Sequence, residues 1–106
     1  MNAKTKLCCL IGKPVGHSIS PLIHNTIAER MGINVVYTAF SVEQDKVADA
    51  IRGAKALGIK GMNVTVPHKC EVIRYLDEID PLAEKIGAVN TIVTTENGYK
   101  GYNTDI

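Results

Sequence analysis

Neither sign of charge is in surplus in this sequence: 12 lysines and arginines stand against 11 aspartates and glutamates, for a formal net charge of +1. The two signs are interspersed, so the chain has no electrostatic footprint for nucleic acid or an anionic membrane, and neither partner is expected. Long apolar runs are missing too. Those present, such as residues 7–11, fall far short of the roughly 20 residues that span a bilayer. The opening MNAKTK lacks the apolar centre of a signal peptide, and a cytoplasmic location is expected. Cysteine occurs only as Cys8, Cys9 and Cys70. An odd number without C-x-x-C spacing argues against a disulfide framework and against a zinc site. His17, His24 and His68 are spread over separate predicted elements, with no H-E-x-x-H spacing, and no metal is expected. The nine glycines never occur as G-x-G, which removes the dinucleotide fingerprint. Nor is GKPVGHS (12–18) a phosphate loop, because His17 rather than lysine follows the second glycine.

What is present suits one domain. A chain of 106 residues, 45% hydrophobic and 22% charged, can enclose a single core and is too short for two. Strand and helix patterns alternate along it. Residues 7–11 form a continuous apolar run ended by Gly12, as in a strand buried on both faces. Ser20 and Pro21 read as a helix cap and first helical residue, with Leu22, Ile23, Ile27 and Met31 at helical spacing before Gly32. Residues 35–42 read as a second strand. Val47, Ala50, Ile51, Ala54 and Leu57 make the apolar stripe of a helix ended by Gly58. A third strand covers 61–65. Pro67 is then expected to open a helix that buries Val72, Ile73 and Leu76, and Asp80-Pro81 a short one through about Ile86. Strands at 88–95 and 99–104 finish the chain, joined by a hairpin at Asn97-Gly98. The order predicts an α/β sandwich whose mainly parallel sheet takes one antiparallel strand. Ligands in such sheets bind beyond the carboxyl ends of the strands, which singles out 12–20, 65–69, Asn90 and Asp105.

Four polar clusters fall in those places. Ser18 and Ser20 lie two apart in an extended loop at a helix start, where N–H groups and the helix dipole favour an anion; Ser20 serves equally as a plain cap. Asn63 and Thr65 share one face of a strand, either as ligand groups or as turn and edge chemistry. Lys69 would sit in the first turn of the helix opened by Pro67. That is the wrong end of the dipole for a cation, and such a field favours proton release; a merely solvated lysine is the alternative. Asn90 offers a donor and an acceptor, to a ligand or to a neighbouring loop. Asn103, Thr104 and Asp105 close the last strand and would also make an ordinary turn or cap. Together the clusters suit a small polyhydroxylated carboxylate, with Lys69 and Asp105 handling a proton at one hydroxyl.

These segments resemble the motifs of the shikimate dehydrogenases: GKPVGHSISPLIHN (12–25), GMNVTVPHK (61–69), GAVNT (87–91) and GYNTD (101–105), in that order and across nearly the whole chain. The resemblance implies NADP-dependent interconversion of 3-dehydroshikimate and shikimate in aromatic amino-acid biosynthesis. It implies that Ser18 and Ser20 hold the substrate carboxylate, that Asn63, Thr65, Asn90 and Asp105 bind ring hydroxyls, and that Lys69 and Asp105 form the catalytic pair. It also implies a three-layer α/β/α sandwich with a six-stranded, mostly parallel sheet carrying one antiparallel strand, followed by a Rossmann domain for NADP. The family continues its fourth motif with glycine, where this chain has Ile106. Residues 1–106 are therefore expected to be the substrate-binding domain, without the cofactor domain and inactive in hydride transfer alone. The alternatives are a quinate/shikimate dehydrogenase domain with NAD, or a binding or assembly domain of the same fold without turnover. Self-association into a homodimer is expected through 35–42 or near Asp105 and Ile106.

Overall fold

The computed structural model describes residues 3–13 and 20–104, with side chains described from Asn25 onward in the second stretch. In chain order the elements are β1 (Lys6–Gly12), α1 (Ser20–Met31), β2 (Val35–Ser41), α2 (Val47–Leu57), β3 (Gly61–Val64), β4 (Glu78–Ile79), α3 (Pro81–Ile86), β5 (Thr91–Thr95) and β6 (Gly98–Tyr102). Two short 3-10 helices, Gln44–Lys46 and Glu71–Tyr75, complete them. The strands form one six-stranded sheet in the order β2-β1-β3-β5-β6-β4. Only β5 runs against the others, pairing antiparallel with β3 and β6. The expected sheet is therefore the one found.

Alternation along the strands sorts their side chains between two faces. Cys9 and Ile11 of β1, Met62 and Val64 of β3 and Ile92 of β5 are buried in one core with Val47, Ile51 and Ala54 of α2. Val72 and Ala83 join them from the 3-10 helix and α3. Each fully buried aliphatic side chain, such as Ile51 or Ile92, contributes about 1.5–3 kcal/mol. The opposite face carries Cys8, Tyr37, Gly61 and Asn63, beside Asn25 and Ala28 of α1. Apolar residues are thus needed on both sides of β1, which explains its uninterrupted run.

The end of α2 and the start of α3 follow their predicted chemistry. Gly58 and Gly87 close α2 and α3 in the left-handed conformation. Asp80 caps α3, its carboxylate accepting from the Leu82 N–H at 3.2 Å, with Pro81 next. Gly101 is required for space, because a Cβ there would lie 2.6 Å from Leu76 Cδ1 and 2.8 Å from Val89 Cγ2.

Four expectations need correction. Pro67 does not open a helix: residues 65–68 form a turn closed by the His68 N–H on the Thr65 carbonyl, with a cis Val66–Pro67 peptide. Helical structure starts only at Glu71 and is 3-10. The last two strands are shorter than expected, and Gly98 is the first residue of β6, opposite Thr95, rather than a turn residue. The two-residue strand β4 was not legible as one. Finally, Leu57 is 80% exposed, Met31 68% and Ile27 50%, so these members of the apolar stripes face away from the core. For Ile27 the reason is local. Together with Ile33 it borders a cavity of about 330 Å³ beside the β3–β5 part of the sheet instead of packing on another helix.

Candidate functional site

β1 lies between β2 and β3, so the chain leaves it in one direction and later returns past it. In α/β sheets the strand ends beside such a switch point are where ligands bind. Backbone hydrogen bonds tie these ends into one rim. The Thr65 N–H donates to the Ile11 carbonyl and the Lys13 N–H to that of Val66, both at 3.0 Å. The Val64 N–H donates to the Asn90 carbonyl at 2.8 Å, and the Val89 N–H to the Lys69 carbonyl at 2.8 Å. Antiparallel β5 matters here, because its amino end brings Asn90 to the edge where the parallel strands end. Lys13 pairs with Glu43 and fixes the start of the loop after β1.

The candidate residues fall on this rim unequally. Asn63 is half-buried on β3, and its Oδ1 accepts from the Tyr37 hydroxyl at 2.8 Å. Thr65 is half-buried directly after β3. Lys69 is half-buried in the turn before the 3-10 helix. The dipole argument for Lys69 therefore loses the helix it needed. Its place against Val89 keeps it beside Asn90. The Asn90 side chain bonds the neighbouring segment: one Nδ2 hydrogen goes to Thr104 Oγ1 at 3.0 Å, and Oδ1 accepts from the Thr104 N–H at 3.1 Å and from Thr91 Oγ1 at 3.0 Å, which leaves the second Nδ2 hydrogen for a ligand. Asn103 Nδ2 donates to the Ala88 carbonyl at 3.1 Å. These bonds pin the chain immediately before Asp105. Ser18 and Asp105 lie outside the described residues. Ser20 is the first residue of α1, its side chain outside the description.

Three residues at the site were missed as contributors. His68 is fully buried, with Nε2 2.6 Å from the Val42 carbonyl. A carbonyl only accepts, so Nε2 carries the proton, and Nδ1 has no partner among the described residues. The second is Tyr37. Burial, with Cys9 and Cys8 adding to it, pushes its phenol up to about 12, so it stays a neutral donor. The third is Asn25, whose amide accepts from the Tyr37 N–H at 2.6 Å and donates to the Tyr37 carbonyl at 2.7 Å. Composition marked residues 35–42 as a strand but did not single out Tyr37, whose partners Asn25 and Asn63 are distant in sequence.

Of the cysteines, Cys9 is buried, Cys8 half-buried and Cys70 exposed. Burial raises the Cys9 thiol to about 11, with Cys8 adding, which leaves it inert. No group of His, Cys, Asp and Glu among the described residues could hold a metal ion. The chain's glycine spacing does not fit a dinucleotide pyrophosphate either.

The fold is an α/β domain that gathers Asn63, Thr65, Lys69 and Asn90 at the carboxyl edge of its sheet. Residues 10–92 match the family profile of the shikimate dehydrogenase substrate binding domain. A shikimate dehydrogenase (NADP(+)) of Methanococcus maripaludis is 58% identical over 106 residues, covering 99% of this chain and 38% of that protein. A crystal structure of a shikimate dehydrogenase in complex with NADP+ superposes with a TM-score of 0.95 at 55% identity, over 99% of this chain and 37% of the other. The Listeria monocytogenes shikimate 5-dehydrogenase, solved with shikimate and NAD, gives a TM-score of 0.94 at 38% identity, over 99% and 36%. The chain belongs to the shikimate dehydrogenase substrate-binding domain family, and it spans little more than a third of the length of these relatives.

Proposed function

We propose that residues 1–106 act as the substrate-binding domain of a cytoplasmic, NADP-dependent shikimate dehydrogenase. The observation that carries the reading is the bonded rim: Asn63, Thr65, Lys69 and Asn90 stand on segments hydrogen-bonded to one another, and Asn90 anchors Thr104 next to Asp105. Ser18 and Ser20 receive the substrate carboxylate where α1 begins, since the first N–H groups of a helix favour an anion. Asn63, Thr65, Asn90 and Asp105 take the ring oxygens. NADP(H), held by a part of the protein other than this chain, supplies or removes the hydride. As the ketone of 3-dehydroshikimate is reduced, the Lys69 ammonium gives its proton to the ketone oxygen. In the reverse direction the Lys69 amine takes the hydroxyl proton, with Asp105 holding the lysine in place. A homodimer through the edge of β2 belongs to the same proposal.

The test is Lys69→Ala in the full-length protein. The expected result is a kcat lower by about 10²–10⁴-fold, with KM for shikimate changed far less. Weakened binding with kcat intact would contradict the proton-transfer role.

A further inference from the structure

Tyr37 stands on β2 and Asn63 on β3, with β1 between them; Cys8 is in register with both Tyr37 and Gly61, and Leu10 with Asn63. Two strand spacings amount to roughly 10 Å, so only a long side chain of β2 can reach β3. Tyr37 does so, its hydroxyl donating to Asn63 Oδ1 at 2.8 Å. Between Tyr37 and Asn63 lies the face of β1 that carries Cys8 and Leu10, and Gly61 beside Asn63 on β3 presents no side chain. Tyr37 is only 6% exposed, and the Asn25 amide holds both its backbone N–H and its carbonyl along the free edge of β2. The hydroxyl is therefore held in place from beneath.

An asparagine amide has an acceptor end and a donor end of nearly the same shape, and a half-turn exchanges them. A phenol hydroxyl is a better donor than acceptor, so Tyr37 donating to Oδ1 favours one of the two orientations. It leaves Nδ2, which has no partner among the described residues, as the end offered to a ligand. We infer that Tyr37 is a positioning residue that orients the Asn63 amide so that Nδ2 donates to an acceptor oxygen of the substrate. The inference rests on Asn63 being a substrate-binding residue, as proposed above. It narrows that role from bonding either way to donating only. The raised phenol, at about 12, agrees with a hydroxyl that keeps its proton at neutral pH.

Tyr37→Phe in the full-length protein keeps the ring and removes only the hydroxyl. KM for shikimate should rise about five- to tenfold, the ordinary effect of one lost orienting hydrogen bond, while kcat stays within about twofold. Asn63→Ala should raise KM by itself, and adding Tyr37→Phe to it should change nothing more, because the hydroxyl acts only through the amide. An unchanged KM in Tyr37→Phe, with or without a lower melting temperature, overturns the inference. Equal penalties in the wild-type and Asn63→Ala backgrounds overturn it as well. A wild-type protein that neither binds nor oxidises shikimate sinks the underlying reading, and the inference with it; the wild-type control separates the two failures.

Discussion

His68 lies between Pro67 and Lys69, and its imidazole is the buried peg on which that turn hangs. Its bond to the Val42 carbonyl ties the turn to the end of β2, while the Lys69 carbonyl is held by Val89. Replacing His68 by alanine removes a wholly buried side chain and leaves a carbonyl unpaired. Urea denaturation should therefore show a loss of about 2–4 kcal/mol. A loss below about 1 kcal/mol would mean that the turn does not depend on this contact. At this scale the sequence was legible wherever the signal was local. Asn63 and Thr65 came from strand alternation, and Asp80 from its cap-and-proline pattern. His68, Tyr37 and Asn25 were not legible, because each acts through a partner 12 or more residues away. Lys69 was singled out for a reason that the turn removes, and its candidacy now rests on its place in the rim.

Among the elements, β2 is an edge strand, and its sequence VVYTAFS has none of the charges or prolines that usually blunt an edge. Asn25 blunts it instead, by occupying the backbone groups of Tyr37 as a neighbouring strand would. The stretch beyond, with Phe40 44% exposed, is the part left for a second copy. Sedimentation at rising concentration should accordingly show a weak dimer that Phe40→Lys abolishes. Monomer alone at high concentration would remove the homodimer from the proposal. The elements read correctly from sequence were those with caps and a periodic stripe, such as α2 with Gly58 and α3 with Asp80. The error at 67–75 has a plain cause: proline suits the first turn of a helix and a tight turn equally well, and only the packing around His68 decides between them. Two residues of β4 carry too little pattern to be seen, and they exist because Asp77 and Asp80 donate backbone bonds to Tyr99 and Gly101 of β6.

Across the whole molecule, a single antiparallel strand in an otherwise parallel sheet sets the geometry of the proposed site. By reversing β5, the fold delivers Asn90 to the edge that already holds Thr65 and Lys69, and β6 then returns Thr104 to Asn90. The six-stranded sheet was foreseen through the family's motifs; strand patterns alone give five strands, β4 being too short. The loop with Ser18 and the end at Asp105 enter the account through sequence alone. The central claim is that this rim binds shikimate, and the most direct measurement is a titration of the ¹⁵N-labelled chain with shikimate, followed by amide shifts. Saturable shifts are expected, concentrated at Ser18, Asn63, Thr65, Lys69, Asn90 and Asp105. No shifts at millimolar shikimate, or shifts scattered over α2 and the β5–β6 turn instead, would contradict it.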